Sequence, residues 1–473
     1  MTSAVVVGSG PNGLAAAITL ADAGVEVVVL EATGAIGGGV RSGELTLPGL
    51  THDLCSAAHP FAVDSAFARR FDLAAHGLRW RWADVEYAHP LDVGGGAFAV
   101  RSVADTAAGL GPDAPGWQAV FGSATERFTD LSQDILQPIL RRPDHPLGMA
   151  RFGLRATLPA GLLARRWERE EAQALWGGLA AHAFRPLTSV MSSAIGLGLG
   201  TAAHAYGWPV AEGGSGAIAA AMTSQLVELG GRTEVEVRVG SLAELGREPD
   251  LVMLDVAPGA AVRIIGDRLP RGVERAFTRY RHGAAAFKVD WAVEDGIPWQ
   301  HEPARRAGTV HVGGRFEHIA AAERLCAQGR MPERPFVLVC QQSVADPTRA
   351  NGNVHPVYGY AHVPAGYTGD ATAAIEAQIE RFAPGFRDRV HARHVTSTTQ
   401  IADGNANFVG GDIVTGATHA RQLVFRPRAT LDPYSTGVPG VFLCSAATPP
   451  GAGAHGMCGY NAARTALRSL DAG

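Results

Sequence analysis

Three glycines and one carboxylate near the start of the chain have the types and spacing to do chemistry. Gly8, Gly10 and Gly13 stand at GxGxxG spacing with Ser9, Pro11 and Asn12 between them, and Glu31 follows. A diphosphate joined to a ribose asks for that set. Gly8 permits a tight turn, Gly10 lets the main chain approach the phosphates, and Gly13 lets a following helix press onto a sheet. The unpaired N–H groups and positive dipole end of that helix stabilise negative charge without a lysine. Glu31 is placed to accept hydrogen bonds from both ribose hydroxyls, and its charge repels a 2′-phosphate.

The elements that must position these residues are legible around them. Ser3 to Val7 reads as a buried parallel strand, Leu14 to Ala23 as an Ala- and Leu-rich packed helix, and Val25 to Leu30 as a second strand ending at Glu31. In a chain with 59 glycines a bare triplet is a weak signal. Strand, turn, helix, strand and acid together predict a dinucleotide site on a doubly wound α/β domain, Rossmann-like and of the glutathione-reductase type. Gly37, Gly38, Gly39 and Arg41 come next, a second glycine turn whose arginine is suited to clamp the diphosphate from the opposite side, which favours FAD over NAD. A surface arginine in a loop is the bland alternative for Arg41. No second fingerprint follows a strand. Gly196, Gly198 and Gly200 fall inside an apolar helical stretch, so no nicotinamide site is expected.

The run 37–61, GGGVRSGELTLPGLTHDLCSAAHPF, resembles the segment after the first nucleotide turn in the phytoene desaturase-like FAD oxidoreductases, which belong with the amine oxidases in one superfamily. Residues 207–218, 287–291 and 440–461 extend the resemblance over nearly the whole chain, most loosely between about residues 100 and 205. The residue-level reading and the resemblance agree on two intertwined units. A discontinuous FAD-binding domain is expected from 1–95, 205–275 and 396–473. A mixed α+β substrate domain is expected from 96–204, helical, and 276–395, an antiparallel sheet. The resemblance implies backbone contacts from Val239 to adenine, and a flavin that takes hydride from substrate and is reoxidised by oxygen, a quinone or another acceptor. Many relatives place an Asp at the ribityl chain where this chain has Ser445 and Ala446, so that contact is left to the main chain or to Ser445.

Bulk properties narrow the class. With 473 residues, 46% hydrophobic and 18% charged, the chain is long and apolar enough for a large core and more than one lobe. Forty-one Lys plus Arg against 45 Asp plus Glu, with no basic run, argue against a nucleic-acid partner. The first strand begins within a few residues of Met1 and leaves no room for a secretory leader, so a cytoplasmic protein is expected. Five scattered cysteines without CxxC spacing read as reduced thiols, and no metal site is expected. Val190 to Ala203 is too short to cross a bilayer. It reads as a buried helix or as the lining of an apolar site, and peripheral membrane contact is left open. Trp167 to Phe184 reads as helix. Gly283 to Val293, Gly308 to Val312, Pro335 to Gln342 and His355 to Val363 read as antiparallel strands of a substrate-facing sheet.

Near the C-terminus, Val441 to Cys444 reads as a buried strand, Thr448 to Gly456 as a Pro/Gly loop and Cys458 to Leu467 as a helix. Amides pointing out of such a loop stabilise the negative charge of a reduced flavin, and Gly456 and Met457 are the candidates. His59 and His455 flank the expected flavin loops with Tyr460 close behind; each is a candidate to accept a proton from the carbon beside the hydride donor. A loop-anchoring histidine and a packed tyrosine are the structural alternatives. His204 and Tyr206 are candidate cavity linings, and Asp53 reads as fixing a turn. Desaturation needs an apolar substrate held dry against the flavin more than it needs ionisable groups. The leading expectation is an FAD-dependent dehydrogenase or desaturase acting on a polyene, an isoprenoid or a carrier-borne chain. An amine oxidase is an alternative that 7% aromatics weakly disfavours. A redox-neutral polyene isomerase using reduced flavin and a flavin-stabilised scaffold complete the set.

Overall fold

A computed structural model describes residues 2–246 and 249–471. Strands SAVVV and EVVVL are β-branched on both faces, the composition of a sheet covered on both sides. They form Ser3–Val7 and Glu26–Leu30, paired in parallel at the centre of a five-stranded sheet. Its spatial order is Val441–Leu443, Leu251–Leu254, Ser3–Val7, Glu26–Leu30, Arg232–Glu234, and every pairing is parallel. Helices Pro11–Asp22, Gly216–Glu228 and Met457–Asp471 pack on one face through Leu14, Ile18, Met222, Leu226 and Ala462. Helices Pro258–Ile265 and Arg271–Thr278 cover the other with Ile264 and Phe277. The architecture is the expected doubly wound α/β domain, joined to a second, mixed sheet. The chain order reverses between Ser3–Val7 and Leu251–Leu254, so a crevice opens at the strands' carboxyl ends, where the glycine turn lies.

The second sheet has seven strands in the order Val390–Thr396, Ala285–Glu294, Val354–Val363, Val337–Cys340, Ala307–Val312, Val85–Pro90, Gly96–Ala99. All pairings are antiparallel except that of Ala307–Val312 with Val85–Pro90. Period-2 alternation divides it into two chemically different faces. Phe287, Val289, Val310, Val339, Val357 and Ala361 turn toward helix Thr372–Phe382, which adds Ile375 and Ile379 to an apolar core. The opposite face turns toward helices Ala114–Glu126, Glu170–Ala181 and Ser193–Tyr206 and carries Tyr87, Leu338, Cys340, Tyr358 and Tyr360. Register aligns His311, Leu338, Tyr360 and Lys288 in one row across four strands, and Thr309, Cys340, Tyr358 and Asp290 in the next.

Val85–Pro90 is buried along its whole length and pairs within the larger sheet. One expectation moves. The strand expected over Thr233 to Val239 pairs only through Arg232–Glu234, because the backbone turns at Glu236 (φ 60). The chain there swings back over the end of the second strand, and Val237 N–H donates to the Glu31 carbonyl at 2.8 Å. The apolar stretch ending at Ala203 forms helix Ser193–Tyr206, largely buried. Among the described residues no helix is long and apolar enough to cross a membrane.

Candidate functional site

One cavity of about 950 Å³ runs from the carboxyl ends of the parallel strands into the space between the seven-stranded sheet and the helices facing it. Its nucleotide end is made mostly of main chain. Gly8 sits at φ +102, in the left-handed region that a side chain resists, and turns the strand into helix Pro11–Asp22. A Cβ on Gly10 would stand 2.6 Å from Asp255 Oδ2, and one on Gly38 2.9 Å from the Gly10 Cα, so the two glycine turns lie against each other. Gly8, Ser9, Gly10, Pro11 and Asn12 line the cavity, as do Gly38, Gly39 and Arg41. Gly13 does not: a Cβ there would meet the Gly8 carbonyl at 2.1 Å, which makes it the position where helix presses on strand.

Glu31 borders the cavity, its Oε2 accepting from the Ser9 hydroxyl at 2.5 Å and its Oε1 from the Thr33 amide at 2.9 Å. Burial pushes its carboxyl up, but the hydrogen bonds from Ser9 and Thr33 outweigh that and hold it below the usual range. Val239 lines the wall beyond, with Val237, Arg263 and Ile264. Arg41 donates from Nε to the Gly38 carbonyl at 2.9 Å and from Nη2 to the Gly404 carbonyl at 3.0 Å, tying the second glycine turn to the loop at 404–408 while lining the cavity. Asp255 lies behind the first turn and accepts the Gly13 N–H at 3.0 Å; burial pushes its carboxyl up to about 7.

These residues fit FAD. The Gly10 and Gly38 positions leave no room for a Cβ, Asn12 Oδ1 is buried with no partner among the described residues, and Glu31 is fixed beside the first turn by Ser9. Glycine turns and Arg41 suit the diphosphate, Glu31 the ribose, and Val239 with Arg263 the base.

Further in, residues 55–62 face Pro449, Pro450 and 452–455 across the cavity. His59 lines it with Nε2 buried and unpartnered among the described residues, and burial pushes its imidazole down to about 4, so the ring is neutral at pH 7. His455 also lines the cavity but is a loop anchor: its Nδ1 accepts the Met457 N–H at 3.0 Å. That bond occupies the Met457 amide, and Gly456 packs against Ala15 and Phe67, so neither faces the cavity as expected; Gly453 and Ala454 do. Ser445 is likewise turned away, its Oγ accepting the Ala447 N–H within its own turn, and Ala446 borders the cavity instead. Tyr460 is not at the cavity. Its ring meets Phe67 edge-on at 6.2 Å, with Arg464 above it. His204 spends both ring nitrogens within the helical layer, on Trp117 and on the Val100 and Arg101 carbonyls. Tyr206 bonds Asp64 and Thr129. Asp53 does fix structure, in a buried two-pronged pair with Arg349 at 2.8 Å.

The inner chamber is walled by apolar side chains, among them Phe152, Met191, Ile195, Leu199, Leu338 and Val414. Four residues missed by sequence reasoning sit on the sheet face at or behind that chamber: Lys288, Asp290, His311 and Tyr360. Lys288 is the chain's single lysine. It is buried, ion-paired with Asp290, and its Nζ lies 4.5 Å from the Tyr358 ring centre. One lysine retained among 41 basic residues was the signal, together with the i, i+2 spacing of Tyr358, Tyr360 and His362.

Comparison with known proteins adds relatives to this geometry. A family model described as an NAD(P)-binding Rossmann-like domain matches residues 6–76. The pyridine nucleotide-disulfide oxidoreductase domain-containing protein 2 of Rattus norvegicus is 24% identical over 307 residues, 56% of this chain and 52% of the rat protein. The Mus musculus protein of the same name is 31% identical over 157 residues, 30% of this chain and 27% of the mouse protein. The chain thus spans about half the length, or less, of the curated relatives it matches. Similar solved structures include an oxidoreductase from Methanosarcina mazei (TM-score 0.64, 13% identity, 99% of this chain and 100% of that one). Putrescine oxidase bound to putrescine (0.63, 16%, 99% of each) and cyclohexylamine oxidase from Brevibacterium oxydans IH-35A (0.60, 16%, 99% of each) are also similar. At these identities the likeness is one of fold.

Proposed function

We propose that this chain is an FAD-dependent oxidoreductase, similar to the phytoene desaturase-like enzymes, that dehydrogenates a CH–CH bond of an apolar substrate. One observation carries the reading: the cavity continues without a break from the glycine cradle into a chamber with apolar walls. The carboxylates lining it, Glu31, Asp255 and Asp403, all belong to the nucleotide end, Asp403 adjoining the Gly404 carbonyl that Arg41 holds. An ammonium substrate would therefore enter the chamber without a counter-charge, which disfavours the amine oxidase alternative. Bound FAD supplies a two-electron acceptor, later reoxidised by oxygen or a quinone. The chain's own residues hold the substrate, exclude water and move the proton. His59, neutral and with Nε2 free, takes the proton from the carbon next to the hydride donor, and the electron pair left behind forms the new double bond. The nucleotide unit is assigned to the segments around the parallel sheet, and the substrate unit to the helical layer and the mixed sheet.

A visible spectrum of the purified protein, then anaerobic addition of polyene or acyl compounds with mass analysis of the products, tests this. A bound flavin bleached by substrate, with product lighter by two hydrogens, supports the proposal. An unchanged mass with altered double-bond geometry points to an isomerase. Absence of flavin after reconstitution refutes the cofactor assignment.

A further inference from the structure

Besides His59, the apolar chamber is lined by two residues that each keep a hydrogen-bonding atom without a partner among the described residues, and they lie at the same end. His182 follows helix Glu170–Ala181 and lines the cavity, and its Nε2 faces His311 Nε2 at 2.9 Å. Burial pushes His182 down to about 3 and His311 well below its ordinary value, so both rings are neutral and a single proton lies between the two nitrogens. The surroundings of His311 decide which ring owns it. His311 Nδ1 is buried without a partner among the described residues, and its ring fills the space that a Cβ on Gly178 would take, 2.6 Å away. A ring N–H at that point would be a buried donor with no acceptor among the described residues, which is rarer and costlier than a bare ring nitrogen. His311 therefore carries its proton on Nε2 and donates it to His182 Nε2. Neutral His182 then holds its own proton on Nδ1, the ring nitrogen without a partner among the described residues, on a residue that lines the cavity.

The second group is Tyr360. It sits in the His311, Leu338, Tyr360 row of the sheet, lines the cavity, and stacks at 6.1 Å on Phe184, two residues beyond His182. Its hydroxyl has no hydrogen-bond partner among the described residues, and burial raises its pKa, so it stays an O–H donor. We infer that His182 Nδ1–H and the Tyr360 O–H form a two-donor subsite for an uncharged oxygen acceptor, and that the substrate is an apolar chain or ring bearing a carbonyl as ketone, ester or thioester. The inference rests on the proposed use of this chamber for substrate. Two neutral donors in an apolar surround favour a carbonyl oxygen over a plain hydrocarbon and over an ammonium, which needs an acceptor.

The test uses the flavin-loaded protein and three probes of equal length: tridecanone, tridecane and tridecylamine, with binding read from protein fluorescence. Tyr360→Phe and His182→Leu are each expected to weaken the ketone about five- to tenfold while leaving the alkane unchanged, since each removes one hydrogen bond. The infrared carbonyl stretch of bound ketone is expected at lower frequency in the wild type and to revert in the double variant. Equal ketone affinity in wild type and double variant, an unshifted stretch, or tighter binding of the amine than of the ketone would overturn the inference. Should His182→Leu fold poorly, Tyr360→Phe, which keeps the ring, decides through the stretch. Flavin content of the same samples separates the two readings: flavin without a ketone effect refutes the subsite alone, whereas a ketone effect without flavin refutes the cofactor.

Discussion

The two ends of the cavity are built on opposite principles. At the nucleotide end the main chain is the binding surface: a Cβ on Gly38 would meet the Gly10 turn and one on Gly10 would meet Asp255, and few side chains take part. At the chamber end the main chain is only a frame, and side chains from several strands, brought into rows by register, form the surface. The difference separates what each end tolerates. Adding a methyl group damages the first, and changing polarity at constant shape damages the second.

The largest expected effect tests the first half of that comparison. Gly10→Val places atoms where Asp255 Oδ2 already stands 2.6 Å from a Cβ position, so the turn that approaches the diphosphate must shift to accommodate them. Flavin affinity is expected to fall on the order of a hundredfold, read from the flavin-to-protein ratio after gel filtration, with ketone binding in the chamber unchanged. Retained flavin stoichiometry would break the comparison. Next in size is Lys288→Met, which keeps shape and removes charge. It leaves Asp290 buried beside His52, whose Nδ1 is 3.3 Å from Oδ1. Breaking a buried pair from one side costs about 3 kcal/mol, whereas removing both charges is close to neutral. Urea titration should show that loss in Lys288→Met and most of it recovered in Lys288→Met with Asp290→Asn. A single variant as stable as wild type would mean that the sheet face tolerates polarity changes after all.

The same contrast governs what the sequence discloses. Ser3–Val7 and Leu251–Leu254 are legible to the residue because continuous apolar runs between turn signals leave little choice, and the glycine spacing names the site directly. Gly456, Met457 and Ser445 go astray because the direction a loop faces is tertiary information. His455 Nδ1 takes the Met457 amide, and helix Pro11–Asp22 packs over Gly456. At the chamber end, alternation along Val354–Val363 does put Tyr358, Tyr360 and His362 on one face, but nothing local says that His311 and Lys288 share Tyr360's row. His204 and Tyr206 looked like cavity linings because they precede a Gly-Trp-Pro turn; in space their polar atoms are consumed within the helical layer.

Asp255 is the exception at the nucleotide end, a buried side chain behind a main-chain surface, and it sharpens the comparison through pH. Its carboxyl has an ordinary value of 3.8 and is raised to about 7, mainly by burial and further by the charge of Glu31. A raised acid is more protonated when folded than when unfolded. Stability is therefore fully present below about 4, falls as pH rises toward 7, and levels off above. Asp255→Asn keeps the acceptor for the Gly13 N–H and cannot ionise. It should match wild type near pH 4 and exceed it by on the order of 2 kcal/mol at pH 8, measured by denaturant titration across that range. Flavin retention should follow the same course, because an ionised Asp255 behind Gly10 repels a diphosphate on the other side of that turn. Wild-type flavin should be released more readily above pH 7, and the Asn variant should show a flat profile. Parallel pH profiles for the two proteins would mean that the turn is held by main-chain geometry alone and that Asp255 stays charged throughout.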